Sequence, residues 1–236
     1  RFDENIRCYD ASYFMLPRLV PLTSLPRLDN DELLERAALL RVDLTRRRSV
    51  RQFSNRAVPN AVIEACLHVA ASAPSGANRQ PWHFVVVQDP ELRKRIRLEA
   101  EAEERAFYRG GAPDDWLEAL APLGTDENKP FLEEASHLIV IFAQRHGVGI
   151  DGDRTKHYYV QESVGIATGM LISALHQTGL ASLTHTPSPM RFLNAILDRP
   201  ANERPFLILA VGHPATGAEV PDIPRKPFHD VVTYRR

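Results

Sequence analysis

Cysteine is nearly absent: the 236 residues hold two, Cys8 and Cys66, with no CxxC spacing. That excludes a disulfide framework and points to a reducing, cytoplasmic compartment. An excess of charge of either sign is missing too. With 29 basic and 30 acidic residues the net charge is −1, so the chain offers no electrostatic footprint for nucleic acid. No run approaches the roughly 18 apolar residues of a membrane span. The chain begins at Arg1 rather than Met, which leaves room for a removed leader or anchor. Its nine histidines show no HExxH or Cys/His ligand spacing, so no metal is expected. There is no G-x-S-x-G elbow, no internal repeat and no G-x-G-x-x-G fingerprint; GIATG lies inside a helical pattern.

What is present describes an ordinary layered protein. Hydrophobic residues at 44% and charged residues at 25% are globular averages, and the length suffices for one α/β-layered domain. Residues 1–28, with prolines at 17, 21 and 26, read as an extended arm, and residues 29–236 as the domain proper. Asp29-Asn30-Asp31 caps a helix running to about Thr45, and Pro59 opens a second with Val62, Ile63, Cys66, Val69 and Ala70 at 3-and-4 spacing. Three short apolar runs, His83–Val87, Leu138–Ala143 and Phe206–Gly212, predict buried strands, the first of them central. Pro90 starts a charged helix broken at Gly110-Gly111, and residues 110–128, rich in Gly, Pro and Asp around Trp116, predict a mobile excursion. The longest helix is expected from about Lys156 to Gly179. Its stretch GIATGMLISAL is apolar on every side, so it must be buried on every side, which favours sharing with a partner subunit.

Two segments carry the strongest chemical signal. RRRSVRQF packs Arg46, Arg47, Arg48 and Arg51 around Ser49. Arginine forks match phosphate oxygens two at a time and stay charged at any working pH, although an isolated RRR is more often a solvated basic loop. About two dozen residues later comes PSGANRQPW. There Gly76 permits close approach of backbone to a flat ring, and Ser75 and Asn78 can hydrogen-bond polar ring edges; alone, Pro74-Ser75-Gly76 is only a turn. LTHTP, Leu183–Pro187, places Thr184, His185 and Thr186 at the end of a short strand, where threonine also has ordinary β-propensity. Glu104 and Tyr108 are four apart and share a helical face, and Lys129 heads KPFLEEA beyond the excursion.

Taken together, in this order and spacing, these motifs resemble the nitroreductase family, and the lid residues narrow the resemblance to the iodotyrosine deiodinases. The match extends from about Leu34 to Val232. It implies an α+β fold with a central mixed sheet flanked by helices, built as an intertwined homodimer with FMN at the interface. It assigns Arg47, Arg48, Ser49, Arg51 and Arg225 to the FMN phosphate, with Lys226 as a substitute for the last. It assigns Pro74, Ser75, Gly76, Asn78, Thr184, His185 and Thr186 to the flavin, Thr186 near N5. The Ala77 N–H would face the substrate phenol oxygen. Glu104, Tyr108 and Lys129, in a lid over about residues 100–132, would clasp the ammonium and carboxylate of a zwitterion. One departure stands out: deiodinases often carry a third threonine where this chain has His185.

The implied activity is reductive dehalogenation of a halotyrosine or related phenolic amino acid, driven by NAD(P)H directly or through a reductase. A general NAD(P)H-dependent nitroreductase or quinone reductase is the alternative within the fold. The flavin-destroying synthase of dimethylbenzimidazole is a further relative, disfavoured by the lid. From a different class comes a non-catalytic module that binds flavin or a tyrosine analogue.

Overall fold

The computed structural model describes residues 17–149 and 151–235. Cys8 and the first sixteen positions of the expected arm lie outside the described residues. The chain divides into two units, Arg1–Arg41 and Val42–Arg236.

In the first unit, residues 17–29 form neither helix nor strand, as their prolines dictate. Helix α1, Asn30–Thr45, then begins in that unit and runs into the second. Its start is a capping box. The Asp29 carboxylate accepts the Asp31 and Glu32 N–H groups at 3.0 and 2.9 Å, and Glu32 reaches back to the Asp29 N–H at 3.1 Å. No residue of α1 is buried, despite Leu33, Leu34, Leu39 and Leu40.

The second unit is built on α2 (Asn60–Ala71), β1 (Trp82–Val87), α3 (Pro90–Ala106), α4 (Asp114–Leu120), α5 (Phe131–Glu134) and β2 (His137–Gln144). These are followed by β3 (His146–Val148), β4 (Arg154–Lys156), α6 (Val160–Gln177), β5 (Ala181–His185), α7 (Phe192–Ile196), β6 (Glu203–Gly212) and α8 (Phe228–Val231). The main sheet has the order β1-β2-β6-β5 with every neighbouring pair antiparallel, and β3-β4 is a separate ribbon. The parallel component is a single bridge, Ser49 to Ser182, which lays the arginine segment along the outer edge of β5.

The continuous apolar runs have a simple explanation. Side chains alternate across a strand, so Ile139, Ile141, Leu207 and Leu209 pack with Ile63, Cys66, Val164 and Leu171 under α2 and α6. Their neighbours Val140, Phe142, Ile208 and Ala210 pack on the other face with Ile96, Ala100, Phe131 and Leu193. Both faces are covered, so both registers of β2 and β6 are apolar.

Several expectations need correction. The His83–Val87 run is an edge strand, not a central one; only β2 pairs with it, and its middle residues are partly exposed. Its apolar run reflects cover on both faces rather than neighbours on both sides. The long helix starts at Val160, because Lys156 ends β4 and Tyr159, at φ +50°, breaks the backbone ahead of α6. Within the single chain α6 is not buried all round: Ile166 is 46% exposed. The excursion at residues 110–128 carries a helix that the sequence reading did not place, since Pro113 with Asp114 and Asp115 starts α4 in its midst. Ahead of it the end of α3 widens into a π-turn, Phe107–Gly111, which Gly110 closes at φ +136°.

Candidate active site

A cavity of about 500 Å3 opens beside the outer edge of β5. Arg47, Arg48, Ser49 and Arg51 line one wall, the Thr184–Thr186 strand end the floor, and Glu104, Tyr108 and Lys129 the lid side. Local sequence explains each wall. The Val50 N–H bonds to the Ser182 carbonyl at 3.3 Å, so the residues on either side of it are held against β5. The Arg225 guanidinium ties the chain further by donating to the Thr45 and Arg47 carbonyls at 2.9 and 2.7 Å, while Arg48 donates to the Pro221 carbonyl. Arg46, the fourth arginine of the run, turns outward to Asp43 at 2.7 Å and takes no part.

No acidic side chain pairs with Arg47, Arg48, Arg51 or Arg225 among the described residues. Burial, then Arg225 and Arg48, hold the Arg47 guanidinium below its usual range, and burial does the same for Arg51. Crowded, half-buried cations with no counter-ion make an anion site; a phosphate would relieve the repulsion and take up the free forks.

On the lid side, Glu104 and Lys129 form an ion pair at 3.2 Å, and Lys129 is only 2% exposed. The ammonium also donates to Thr125 Oγ1 at 3.1 Å and to the Asp126 carbonyl, and sits 5.6 Å from the Tyr108 ring centre. The Tyr108 hydroxyl donates to the Thr125 carbonyl at 3.2 Å. Burial foremost raises the Tyr108 pKa, with Glu104 and Asp126 adding to it, so the phenol stays protonated as a donor. Phe107, Trp116, Leu120 and Leu123 supply the apolar remainder of the lid.

Two positioning groups escape a motif-based reading. Glu101, buried, accepts the Lys129 backbone N–H at 2.9 Å and the Arg97 guanidinium at 2.9 Å. Thr125 serves both Tyr108 and Lys129. The signal for Glu101 was present: Arg97, Glu101 and Glu104 recur at helical 4-and-3 spacing on one face of α3, and Tyr108 follows four residues on.

The PSGAN turn is elsewhere. None of Pro74, Ser75, Gly76, Ala77 or Asn78 lines this cavity. The turn precedes β1, whereas Thr186 follows β5, and these strands are opposite edges of the sheet. Three strand spacings, about 14 Å, separate them at minimum. The close approach that Gly76 permits is to its own chain: a Cβ there would stand 2.5 Å from the Tyr158 carbonyl oxygen. Ala77, Asn78 and Gln80 all have positive φ, near 50°, and the Ala77 N–H has no acceptor among the described residues. Such strained turns gather where a backbone group must be held for a ligand.

The Nitroreductase family model matches residues 44–213. An iodotyrosine deiodinase of Haliscomenobacter hydrossis is 53% identical over 210 residues, covering 89% of this chain and 94% of that protein. The chain belongs to the nitroreductase family, on its iodotyrosine deiodinase branch. A deiodinase of Nematostella vectensis is 39% identical, covering 87% of this chain and 78% of that relative. Among solved structures, oxidised iodotyrosine deiodinase bound to FMN and 3-iodo-L-tyrosine superposes with a TM-score of 0.71 at 32% identity, over 84% of this chain and 99% of the other. A BluB-like flavoprotein from Clostridium difficile, 20% identical with a TM-score of 0.64, shares the fold. No helix among the described residues is long and apolar enough to cross a membrane.

Proposed function

We propose that this family member is an FMN-dependent reductive dehalogenase of halotyrosines, most naturally iodotyrosine. The observation that carries the reading is one cavity with two unlike ends: uncompensated arginines at one, and the buried Glu104–Lys129 pair with Tyr108 at the other. The first suits a phosphate and the second an amino-acid zwitterion.

Arg47, Arg48, Ser49, Arg51 and Arg225 would hold the FMN phosphate, and Thr184, His185 and Thr186 would line the flavin, Thr186 nearest N5. When bound and reduced, FMN would supply the two electrons that, with one proton, convert a carbon–halogen bond into C–H and halide. The chain's own residues bind, orient and exclude water. Lys129 faces the substrate carboxylate, Glu104 its ammonium, and Tyr108 stays a hydroxyl donor. Phe107, Trp116 and Leu123 close an apolar cover that keeps these charges in a low dielectric.

The remaining group comes from a second copy. Ala77 is the donor for the phenol oxygen, and the turn that carries it cannot reach the cavity of its own chain across the sheet. Support for a homodimer lies in the groove of about 760 Å3 between α2 and α6, lined by Val69, Ile166, Met170 and neighbours. The half-exposed Ile166 belongs to that apolar surface. Sharing of α6 between subunits thereby explains its apolar sequence. The reductant is NAD(P)H, directly or through a reductase.

The test is anaerobic. The purified FMN-loaded protein is reduced with dithionite, iodotyrosine is added, and flavin reoxidation and iodide are followed together. Stoichiometric iodide and tyrosine, with no response to iodophenol, is the expected result. Reoxidation by nitroaromatics alone would place the chain among the general reductases, and a tight complex that is never reoxidised would make it a binding module.

A further inference from the structure

His185 lines the cavity, yet the clasp of Glu104, Tyr108 and Lys129 described above leaves its ring nitrogen unused. It sits at the end of β5, 9% exposed, with its ring edge-on to Phe131 at 5.6 Å between centres. Its Nε2 atom is buried and has no hydrogen-bond partner, an uncommon and costly condition for a ring nitrogen. That atom is aimed at the lid: it stands 3.9 Å from Glu104 Oε1, while Glu104 Oε2 is the oxygen paired with Lys129 at 3.2 Å. The remaining charged neighbours of His185 are Lys129 and Arg51.

Substrate entry changes this balance. A zwitterion brings a carboxylate that competes for Lys129 and an ammonium that needs Glu104 in place. Lys129 is held by Thr125 and Asp126 as well as by Glu104, so it can turn toward the new carboxylate and stay bonded. Glu104, by contrast, loses its only close donor inside a closed, low-dielectric pocket, where an unanchored carboxylate is poorly placed and costly. A donor on Nε2, fixed to the sheet rather than to the lid, replaces what Lys129 withdraws after a shift of about 1 Å, from the present gap to ordinary bond length.

We infer that His185 is a positioning residue of the substrate clasp: its Nε2–H takes over Glu104 Oε1 as Lys129 turns to the substrate carboxylate, holding the Glu104 carboxylate on the ammonium. A neutral imidazole suits this task better than a cation would. It supplies a hydrogen bond and leaves the full negative charge of Glu104 for the ligand. Burial, then Lys129 and Arg51, keep the ring neutral by lowering its pKa to about 3. Threonine at this position has too short a reach to span from strand to lid, so the bond is a property of this chain's own residue. The role rests on the halotyrosine reading of the cavity.

The experiment compares FMN-loaded parent, His185→Leu and His185→Gln in steady-state turnover of iodotyrosine, each also in a Glu104→Gln background. His185→Leu should raise KM about tenfold with kcat within about twofold, the loss expected for one hydrogen bond to a charged group. His185→Gln, which keeps a donor, should recover most of the loss, and the effect of His185→Leu should vanish in the Glu104→Gln background. His185→Thr serves the same comparison if the leucine variant does not fold. Equal losses in both backgrounds, or a loss confined to kcat and FMN affinity, would limit His185 to lining the flavin and overturn the inference. A parent that does not bind iodotyrosine at all would overturn the functional reading and this role with it. A parent that binds while the cycle is additive overturns the role of His185 alone.

Discussion

Mild acid should destabilise this protein through His185. In the folded state His185 is buried beside Lys129 and Arg51, and its pKa is lowered from 6.5 to about 3. The unfolded chain, with an ordinary imidazole, binds a proton below about pH 6.5 that the folded chain refuses. The stabilising contribution is therefore fully present above pH 6.5 and is lost progressively as pH falls from there toward 3. Each unit of pH in that window costs about 1.4 kcal/mol, so moving from pH 6.5 to 5.0 costs about 2 kcal/mol from this group. That is a sizeable part of the 5–15 kcal/mol typical of a folded domain. Urea unfolding of parent and His185→Gln at pH 5.0, 6.0, 7.0 and 8.0, at fixed protein and FMN concentration, isolates the effect. The difference between the two proteins should be flat above pH 7 and should shift by about 2 kcal/mol in favour of the variant between pH 6.5 and 5.0. Parallel stability profiles across the whole range would refute the reasoning, because they would mean that His185 titrates alike in both states.

Other consequences follow from the same geometry. Gly76→Ala places a methyl 2.5 Å from the Tyr158 carbonyl oxygen, so the turn must shift; a loss of about 1–3 kcal/mol in urea unfolding and slower turnover are expected. Arg47→Gln removes one uncompensated guanidinium from the phosphate end of the cavity and should weaken FMN binding about tenfold or more, measured by flavin fluorescence. Glu104→Gln and Lys129→Ala should each weaken iodotyrosine binding about 10- to 100-fold while leaving FMN affinity near the parent value, read by anaerobic titration. On the proposed dimer, Ile166→Glu puts a charge on the half-exposed apolar face of α6 and should give a monomer in sedimentation analysis, with loss of turnover because the proposed Ala77 contact across the interface is lost.

The elements that obey local rules were legible without coordinates. α1 starts at its Asp29 cap, α2 after Pro59, and α3 at Pro90, whose preceding residue Asp89 accepts the Leu92 N–H at 2.8 Å. The buried strands showed themselves as apolar runs because both their faces meet helices. Glu104 and Tyr108 were legible as neighbours from their i,i+4 spacing, although the chain leaves α3 for a π-turn between them. Less accessible were the edge position of β1 and the start of α6, which depend on strand pairing and on a single positive φ at Tyr159.

The sequence by itself determined the inventory: which residues can carry charge, donate to phosphate or turn the chain, and on which element each lies. Only the tertiary structure decided which of them meet. It laid the Arg47–Arg51 segment along β5 through the Ser49–Ser182 bridge and set Lys129 against Glu104 across the intervening residues 110–128. It also left the Ser75–Asn78 turn on the far edge of the sheet, and it aimed an unpaired His185 nitrogen at Glu104. The reason is range. Caps, turns and periodicity arise within a few residues of backbone, whereas strand order and the closure of distant loops are set by how two apolar faces of one sheet are covered at once.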